Sequence, residues 1–291
     1  MPDAALELVF LGTGTSAGVP MIGCACDVCR SDDPRDQRTR PSVLVRYPDG
    51  KAQSPGITRQ LLIDTTPDIR LQAVREALDR IDGVLYTHAH ADHIFGIDDL
   101  RRFNAVMKRA VDVYGEPGLI AQLQQMFRYI FQPGRNVNPS FVAELIPSPL
   151  HVGQVLELFG AAWTPIRLMH GRLPILGFRV DWRGRSLAYC TDVSSIPPET
   201  YPHLAELDVL VIDALRYRHH PTHLTVDQAL TIIDELKPGR AYFTHMAHDI
   251  CHAELEAALP ETVRPAYDGL RVTLEAGDAT PAAGIATDAR G

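Results

Sequence analysis

Residues 83–93, GVLYTHAHADH, place three histidines and an aspartate directly after a short apolar run. In an extended chain alternate side chains point to the same side, so His88 and His90 can face one point. Asp92 and His93 can then turn toward a neighbouring point. Imidazole and carboxylate groups at this density suit a divalent zinc, manganese or iron ion. The segment therefore predicts a metal site, and the alternative is a polar turn with incidental histidines.

Three further candidate ligands each follow a strand-like run: His170 after IRLM, Asp192 after AYCT and His245 after YFT. Loops that leave one edge of a sheet can converge on a common point. Taken alone, His170 is more often an ordinary polar residue than a ligand. Together with the first cluster, the three residues predict more ligands than one ion needs.

A second candidate site lies near the N-terminus, where GCACDVC places Cys24, Cys26 and Cys29 within six residues. The chain has 5 cysteines, an odd number, and these three are too close together to pair comfortably with one another. The pattern is typical of a reducing, cytoplasmic protein in which thiolates bind metal. The alternative is a loop with three free thiols.

The composition indicates an ordinary globular protein, with 45% hydrophobic and 22% charged residues in a chain of 291. The net charge of -8 gives no reason to expect a long nucleic acid or a membrane surface as partner. The N-terminal residues lack the pattern of a signal peptide, and no apolar run approaches about 20 residues. We therefore expect no membrane partner.

Short β-branched runs alternate with helical periodicity, which predicts a layered α/β protein. Strands are predicted over residues 6–12, 42–47, 60–64, 83–88, 111–115, 154–159, 164–170, 175–182, 186–192, 208–214 and 240–245, and helices over 67–78, 96–106, 117–131, 225–236 and 251–259. We expect a single hydrolase domain over residues 1–276. Residues 277–291 are small and polar, and predict a loose C-terminal tail.

The order of these motifs, H-x-H-x-D-H followed by separate His, Asp and His, resembles that of the metallo-β-lactamase superfamily. The resemblance covers nearly the whole chain, from LGTGTS through LLIDTTPDIR to THMAHD. It implies a four-layer αββα sandwich with two divalent ions, zinc or manganese, at one edge of the paired sheets. The ligands it implies are His88, His90 and His170 for one ion, Asp92, His93 and His245 for the other, and Asp192 between the two. It also implies that Asp64 orients the metal loop without binding metal, while Asp68 is interpreted as a helix cap.

The segment GTGTSAGVPMIGCACDVC is more specifically similar to the N-terminus of PhnP-type phosphodiesterases, which act on cyclic ribose phosphates during phosphonate breakdown. That group carries a structural zinc held by three cysteines and a histidine, which implies Cys24, Cys26, Cys29 and His248 here. His223, in HHPTHLTVDQAL, matches a histidine that protonates the leaving oxygen or holds the phosphate. The alternative is that His223 caps the following helix. Its neighbours His219 and His220 are interpreted as surface loop residues.

These features predict a metal-dependent phosphodiesterase in which two ions share a hydroxide and His223 and Asp192 take part in catalysis. The expected substrate is a small phosphodiester, cyclic and ribose- or nucleotide-like. No basic, Gly-rich arm of the kind that tRNA-processing members carry is evident, which favours a small substrate over RNA. The alternatives are a thioesterase or lactonase of the same fold, or a non-hydrolytic protein that binds metal or product. A homodimer is expected from the resemblance alone.

Overall fold

The computed structural model describes residues 5–50, 56–137 and 140–277. Except for Gly277, the predicted C-terminal tail lies outside the described residues. The strands are β1 (Ala5–Gly12), β2 (Ser42–Pro48), β3 (Thr58–Ile63), β4 (Gly83–Leu85), β5 (Val111–Gly115), β6 (Leu145–Pro149), β7 (Leu156–Leu158), β8 (Ala161–His170), β9 (Leu173–Trp182), β10 (Arg185–Cys190), β11 (Val209–Asp213), β12 (Arg240–Thr244), β13 (Val263–Pro265) and β14 (Arg271–Glu275). The helices are α1 (Ile69–Arg75), α2 (Ala91–Ile94), α3 (Leu100–Met107), α4 (Pro117–Met126), α5 (Arg128–Phe131), α6 (Val226–Leu236) and α7 (His252–Ala258).

The strands form two seven-stranded sheets, in the orders β14-β1-β2-β3-β4-β5-β6 and β13-β12-β11-β10-β9-β8-β7. Each sheet is half antiparallel and half parallel. In the first sheet β3, β4, β5 and β6 run parallel, and in the second β10, β11, β12 and β13 do so. Parallel strands deliver their carboxyl ends to one edge of a sheet, where loops commonly build binding sites.

Alternation along the strands divides the core into three layers of apolar contacts. In β1, Leu8 and Phe10 pack between the two sheets, whereas Val9 and Leu11 pack under the helices of the first sheet. Strands β10 and β11 alternate in the same way, and their opposite faces pack under the helices of the second sheet. Because each sheet is buried on both faces, the layers run helix, sheet, sheet, helix, and the prediction of an αββα sandwich is confirmed.

The clearest local start signal among the helices is at α6. Helix α6 begins with a capping box, in which the Thr225 hydroxyl accepts from the Gln228 backbone N–H and the Gln228 side chain accepts from the Thr225 N–H. The helix predicted over 117–131 is divided at Phe127 into α4 and α5. No helix in the described part of the chain is long and apolar enough to span a membrane.

The interpretation of Asp68 as a capping side chain is wrong. Asp68 occupies the position before α1, but its side chain makes no capping hydrogen bond. Its carboxylate instead accepts from the Arg40 backbone N–H at 2.9 Å and from the Arg40 guanidinium at 3.1 Å. The nearby charged side chain competes successfully with the helix N-terminus for this carboxylate.

Candidate metal centre

The predicted ligands lie where the strands of both sheets end. The first cluster follows β4, His170 is the last residue of β8, Asp192 follows β10 and His245 follows β12. The structure brings these residues together as two adjoining groups whose ligand atoms lie within 4.8 Å of one another. One group is His88, His90 and His170, and the other is Asp92, His93, Asp192 and His245.

In the three-histidine group, hydrogen bonds fix which ring nitrogen is free. The Thr87 hydroxyl donates to Asp64 at 2.8 Å, so the His88 Nδ1–H donates to Thr87 Oγ1 at 3.0 Å. The His170 Nδ1–H donates to the Thr222 carbonyl at 2.8 Å. Both rings therefore keep an unprotonated Nε2, which is the form of imidazole that binds a metal. The His88 Nε2 lies 3.0 Å from His90 Nδ1, so these two ring nitrogens face one space.

In the second group, carboxylates surround two buried imidazoles. Asp64 Oδ2 accepts from His93 Nδ1–H at 2.7 Å, which leaves His93 Nε2 facing Asp192 Oδ2 at 3.2 Å. His245 Nε2 lies 3.1 Å from Asp192 Oδ1. The two oxygens of Asp192 thus face two different histidines, and Asp64 supports the cluster from behind, as the sequence resemblance implies.

The charges in this group favour a cation at its centre. Burial alone would lower the pKa of His93, but the carboxylates of Asp192, Asp64 and Asp92 outweigh it and raise the pKa well above its ordinary value. Burial would also lower the pKa of His245, yet Asp192 raises it to about 10. The carboxylates of this group thus favour positive charge beside them, which a divalent ion would supply.

The residues present fit a pair of divalent ions. His93 Nε2 and His245 Nε2 are buried and have no hydrogen-bond partner, although carboxylate oxygens lie close to both. Imidazole nitrogens and carboxylate oxygens that lie close together without hydrogen-bond geometry are typical of groups that bind the same ion. His88 is also buried, which lowers the pKa of its imidazole well below the ordinary value and keeps a lone pair available.

His223 lies beside this centre and is not a helix cap, because Thr225 caps α6. Its ring centroid is 4.6 Å from that of His170 and 4.7 Å from that of His245. Burial, followed by the charge of His245, lowers the pKa of His223 to about 3. His223 also belongs, with His170 and Asp192, to a group whose ligand atoms lie within 4.8 Å of one another.

Asp213, the last residue of β11, is a site residue that the sequence analysis missed. Its Oδ2 accepts from the His223 Nδ1–H at 2.7 Å and from the Val193 backbone N–H at 3.0 Å. It is fully buried, and burial raises the pKa of its carboxyl well above the ordinary value. A signal was present in the sequence: Asp213 is an acidic residue at the end of the apolar strand β11. This strand lies between β10 and β12, and candidate ligands follow both of them. The interpretation of His220 as a surface residue is only half right, since it is partly buried and its ring centroid lies 5.0 Å from that of His223.

The cysteine clasp, defined as Cys24, Cys26, Cys29 and His248, forms a separate group. His248 Nδ1 lies 3.2 Å from the sulfur of Cys24, 3.4 Å from that of Cys26 and 3.7 Å from that of Cys29. A tetrahedral zinc with bonds of about 2.3 Å to sulfur and about 2.0 Å to nitrogen separates those atoms by about 3.5 Å. The observed spacing therefore fits one zinc ion held by all four residues.

The loop that carries both His245 and His248 has supports besides the clasp. The Met246 backbone N–H donates to the Thr13 carbonyl at 2.9 Å. The buried Arg38 guanidinium donates to the carbonyls of Ala247 at 3.1 Å and Ile250 at 2.8 Å. The clasp is one of several contacts that hold this loop against the N-terminal segment.

Three site residues adopt a left-handed backbone conformation, which is unusual for residues with a side chain. The φ angles are 64° at Asp64, 58° at Asp192 and 60° at His245. Each of these residues follows a strand and turns sharply toward the centre. Outliers of this kind concentrate at functional sites, where surrounding contacts hold them in place.

Comparison with known proteins shows the family. A model described as a beta-lactamase superfamily domain matches residues 59–246. The chain therefore belongs to the beta-lactamase superfamily. The crystal structure titled as a new diphosphatase from the PhnP family is 41% identical, with a TM-score of 0.82, covering 94% of this chain and 98% of that one. The prediction of a PhnP-like protein of the metallo-β-lactamase type is confirmed.

Two other relatives show how widely this fold is used. The octanoyltransferase of Porphyromonas gingivalis is 35% identical over 272 residues, which are 93% of this chain and 52% of that protein. This chain thus spans about half the length of that relative. The Zn²⁺-bound PqqB of Methylobacterium extorquens is 21% identical with a TM-score of 0.71, covering 91% of this chain and 99% of that one, and so shares the fold. Family and neighbours together support a metal-dependent hydrolase as the general class.

Proposed function

We propose that this chain hydrolyses a small phosphodiester and binds two divalent ions, zinc or manganese, to do so. His88, His90 and His170 would hold one ion, Asp92, His93 and His245 the other, and Asp192 would serve both. When bound, such a pair supplies an activated water and neutralises charge on the phosphoryl oxygens. The similarity to a PhnP-family diphosphatase supports phosphorus as the reacting centre.

The observation that carries this proposal is the pair of His223 and Asp213. His223 belongs to neither proposed ligand set. Its ligand atom nevertheless lies within 4.8 Å of those of His170 and Asp192. Its Nδ1–H donates to Asp213, so its Nε2 is free to hold a proton. In the proposed reaction water forms a bond to phosphorus and gives up a proton, and the ester P–O bond breaks. His223, whose lowered pKa keeps the ring neutral at rest, takes up a proton at Nε2 and passes it to the departing oxygen. Asp213, which contacts the other ring nitrogen, holds the His223 ring in place during this transfer.

One observation favours a second candidate function, the hydrolysis of an acyl thioester. The relative from Porphyromonas gingivalis is named an octanoyltransferase, although this chain matches only 52% of it. A thioester carbonyl develops an oxyanion that a metal pair could also neutralise. This candidate needs no proton delivery to its thiolate leaving group, so it gives His223 and Asp213 no role.

A hydrolysis screen separates these candidates. Protein loaded with manganese or zinc is given bis(4-nitrophenyl) phosphate, cyclic ribose phosphates, nucleoside 2′,3′- and 3′,5′-cyclic phosphates, octanoyl thioesters and lactones. We expect turnover of the phosphodiesters, and turnover of thioesters alone would overturn the proposal. The proposal also includes a homodimer and a cytoplasmic setting, of which the first is tested by light scattering of the purified protein.

A further inference from the structure

A cleft with a volume of about 490 Å³ opens directly beside His88 and His90. The first turns of α4 form one wall, with Gly118, Leu119 and Gln122, and the hairpin between β8 and β9 contributes Leu173 and Pro174. Clefts of about 300–1,000 Å³ are the usual size for small-molecule sites. Because two predicted metal ligands line this cleft, a phosphodiester at the metal centre has its remaining part within reach of it.

The lining of the cleft carries no group that would favour a second anion. Besides the histidines, the described residues that line it include one ionisable side chain, Glu116. Its carboxylate is already paired with Arg167, whose Nη1 lies 3.0 Å from Glu116 Oε2. A further phosphate placed against the lining would meet a carboxylate and, among the described lining residues, no lysine or arginine.

The walls of the cleft suit a flat, neutral group. Leu173 is 42% exposed, and Pro174 beside it is also exposed, so the hairpin presents apolar surface to the opening. The opposite wall carries Leu119, and the exposed amide of Gln122 can hydrogen-bond the edge of a ring. An apolar face with a few polar contacts at its rim is the usual chemistry of a site for a heteroaromatic ring.

We propose that this cleft binds a neutral heteroaromatic ring, such as a nucleobase, attached to the sugar of the phosphodiester. The proposal rests on the proposed function and narrows it. It selects nucleoside cyclic phosphates over ribose cyclic phosphates that carry a second phosphate group.

Gly118 offers a way to block the cleft with little effect on the fold. A Cβ built at Gly118 meets nothing within 4 Å, and the position lies in the first turn of α4 without a positive φ. Gly118→Phe should therefore place its ring in the open space of the cleft. Gly134, in the turn Pro133–Arg135, is equally open and lies outside the cleft, so Gly134→Phe is the matched control.

The first measurement compares kcat/KM for three cyclic phosphates on manganese-loaded protein. These are adenosine 2′,3′-cyclic phosphate, methyl riboside 2′,3′-cyclic phosphate and the 5′-phosphate of that methyl riboside. We expect the adenosine compound to exceed the methyl riboside by about tenfold or more, and the 5′-phosphate to be the poorest. Gly118→Phe should remove this preference, whereas Gly134→Phe should retain it. No preference in the wild type, or equal losses for all three compounds in Gly118→Phe, would overturn the proposal.

The second measurement does not depend on catalysis. Saturation-transfer NMR with adenosine as the probe should show transfer to the adenine protons in the wild type and in Gly134→Phe, and a loss of it in Gly118→Phe. Equal transfer in both variants would contradict the assignment of the cleft. If none of the cyclic phosphates is hydrolysed, the proposed function fails, and the adenosine signal still decides whether the cleft binds a ring.

Discussion

The cysteine clasp and the histidine–aspartate centre are both candidate metal sites, yet the chain builds them in opposite ways. The four residues of the clasp are partly exposed and lie in loops or a short 3-10 turn. All but one of the residues of the centre are buried, either at or just after strand ends or in the short helix α2. Besides their contacts with His248, the sulfurs of the clasp accept local backbone N–H groups, such as that of Met21 at 3.3 Å from Cys29 Sγ. The imidazoles of the centre are oriented by side chains and carbonyls from other elements.

This difference indicates what each site depends on. In the centre, buried partners such as Asp64 fix the ring orientations before any ion arrives, and outer contacts of this kind raise metal affinity. In the clasp, the four side chains have fewer contacts with other elements, so a bound ion would contribute mainly to local stability, as in small zinc sites that fold on binding. Substitutions should therefore damage the centre through its geometry and the clasp through its stability.

The largest expected effect on the centre follows Asp192→Ala. This change removes the carboxylate that faces both His93 and His245, so both predicted ions are loosened at once. Hydrolysis of phosphodiesters should fall by at least about a thousandfold. The exposed Asp227→Ala is the control and should keep normal activity and metal content. Near-normal turnover by Asp192→Ala would contradict the assignment of two metal ions to this centre.

His223→Ala separates proton delivery from metal binding. It should keep the metal content of the wild type and lose about 10²–10⁴-fold in rate with a poor alkoxide leaving group. The loss should be much smaller with an activated aryl ester, whose leaving oxygen needs no proton. His220→Ala, a change in the neighbouring ring, is the control. Equal losses on both substrates would instead indicate that His223 positions the phosphate.

Asp64→Asn tests the outer support of the centre. Asp64 Oδ2 accepts from His93 and the Thr87 hydroxyl, and Oδ1 accepts from the Thr87 N–H. An amide has a single oxygen and cannot accept at both positions. Metal affinity, measured by competition with a chelating dye, should fall about 10–100-fold. Asp68→Asn, on the same loop but bonded to Arg40, should leave the affinity unchanged. If both variants bind metal equally well, orientation by Asp64 is unimportant.

Cys26→Ser is expected to have the smallest effect on the centre. Loss of one thiolate should lower the metal content from about three ions per chain to about two, and lower thermal stability. The structure limits the coupling to His245, because Thr13 and Arg38 also hold that loop. We therefore expect metal affinity at the centre to fall by less than about tenfold, the lower end of such indirect effects.

Cys251→Ser is the matched control for the clasp, since Cys251 is partly exposed on the same loop and does not belong to the four-residue group. It should retain both metal content and stability. A metal count that stays unchanged in Cys26→Ser, with rapid alkylation of all three cysteines in the native wild type, would show that the clasp binds no ion.

The fold was predictable because its signal is repeated many times along the chain. Apolar strands, helical periodicity and turn residues agree with one another in most of the elements. The strands that were not predicted are β6, β13 and β14. Strands β6 and β13 contain proline, which has no backbone N–H to donate and therefore argues against a strand in the sequence. Both strands lie at the edges of their sheets, where proline is tolerated. Strand β14 does alternate polar and apolar residues, but it has only 5 residues, which is too short for a firm prediction.

The metal ligands were predictable because histidine has few common roles at the end of a strand. The roles of the aspartates were less predictable because they depend on contacts with distant residues. Histidines after strands indicate ligands without further context. Asp213 and Asp68 have the same side chain, yet one orients an imidazole and the other binds an arginine. Those partners lie 10 and 28 positions away along the chain, and only the folded arrangement of strand ends selects them.

The left-handed conformations at Asp192 and His245 have a consequence for laboratory evolution. Such a conformation costs roughly 1–2 kcal/mol at a residue with a side chain, and glycine avoids this cost. Bound metal offsets the cost by stabilising the folded chain, whereas a chelated sample has no such compensation. A library selected for heat resistance in chelator should accumulate glycine at positions 192 and 245, and the same library selected with manganese should keep aspartate and histidine. At these two positions, robustness and activity are therefore competing traits, and the growth medium decides which of them selection rewards.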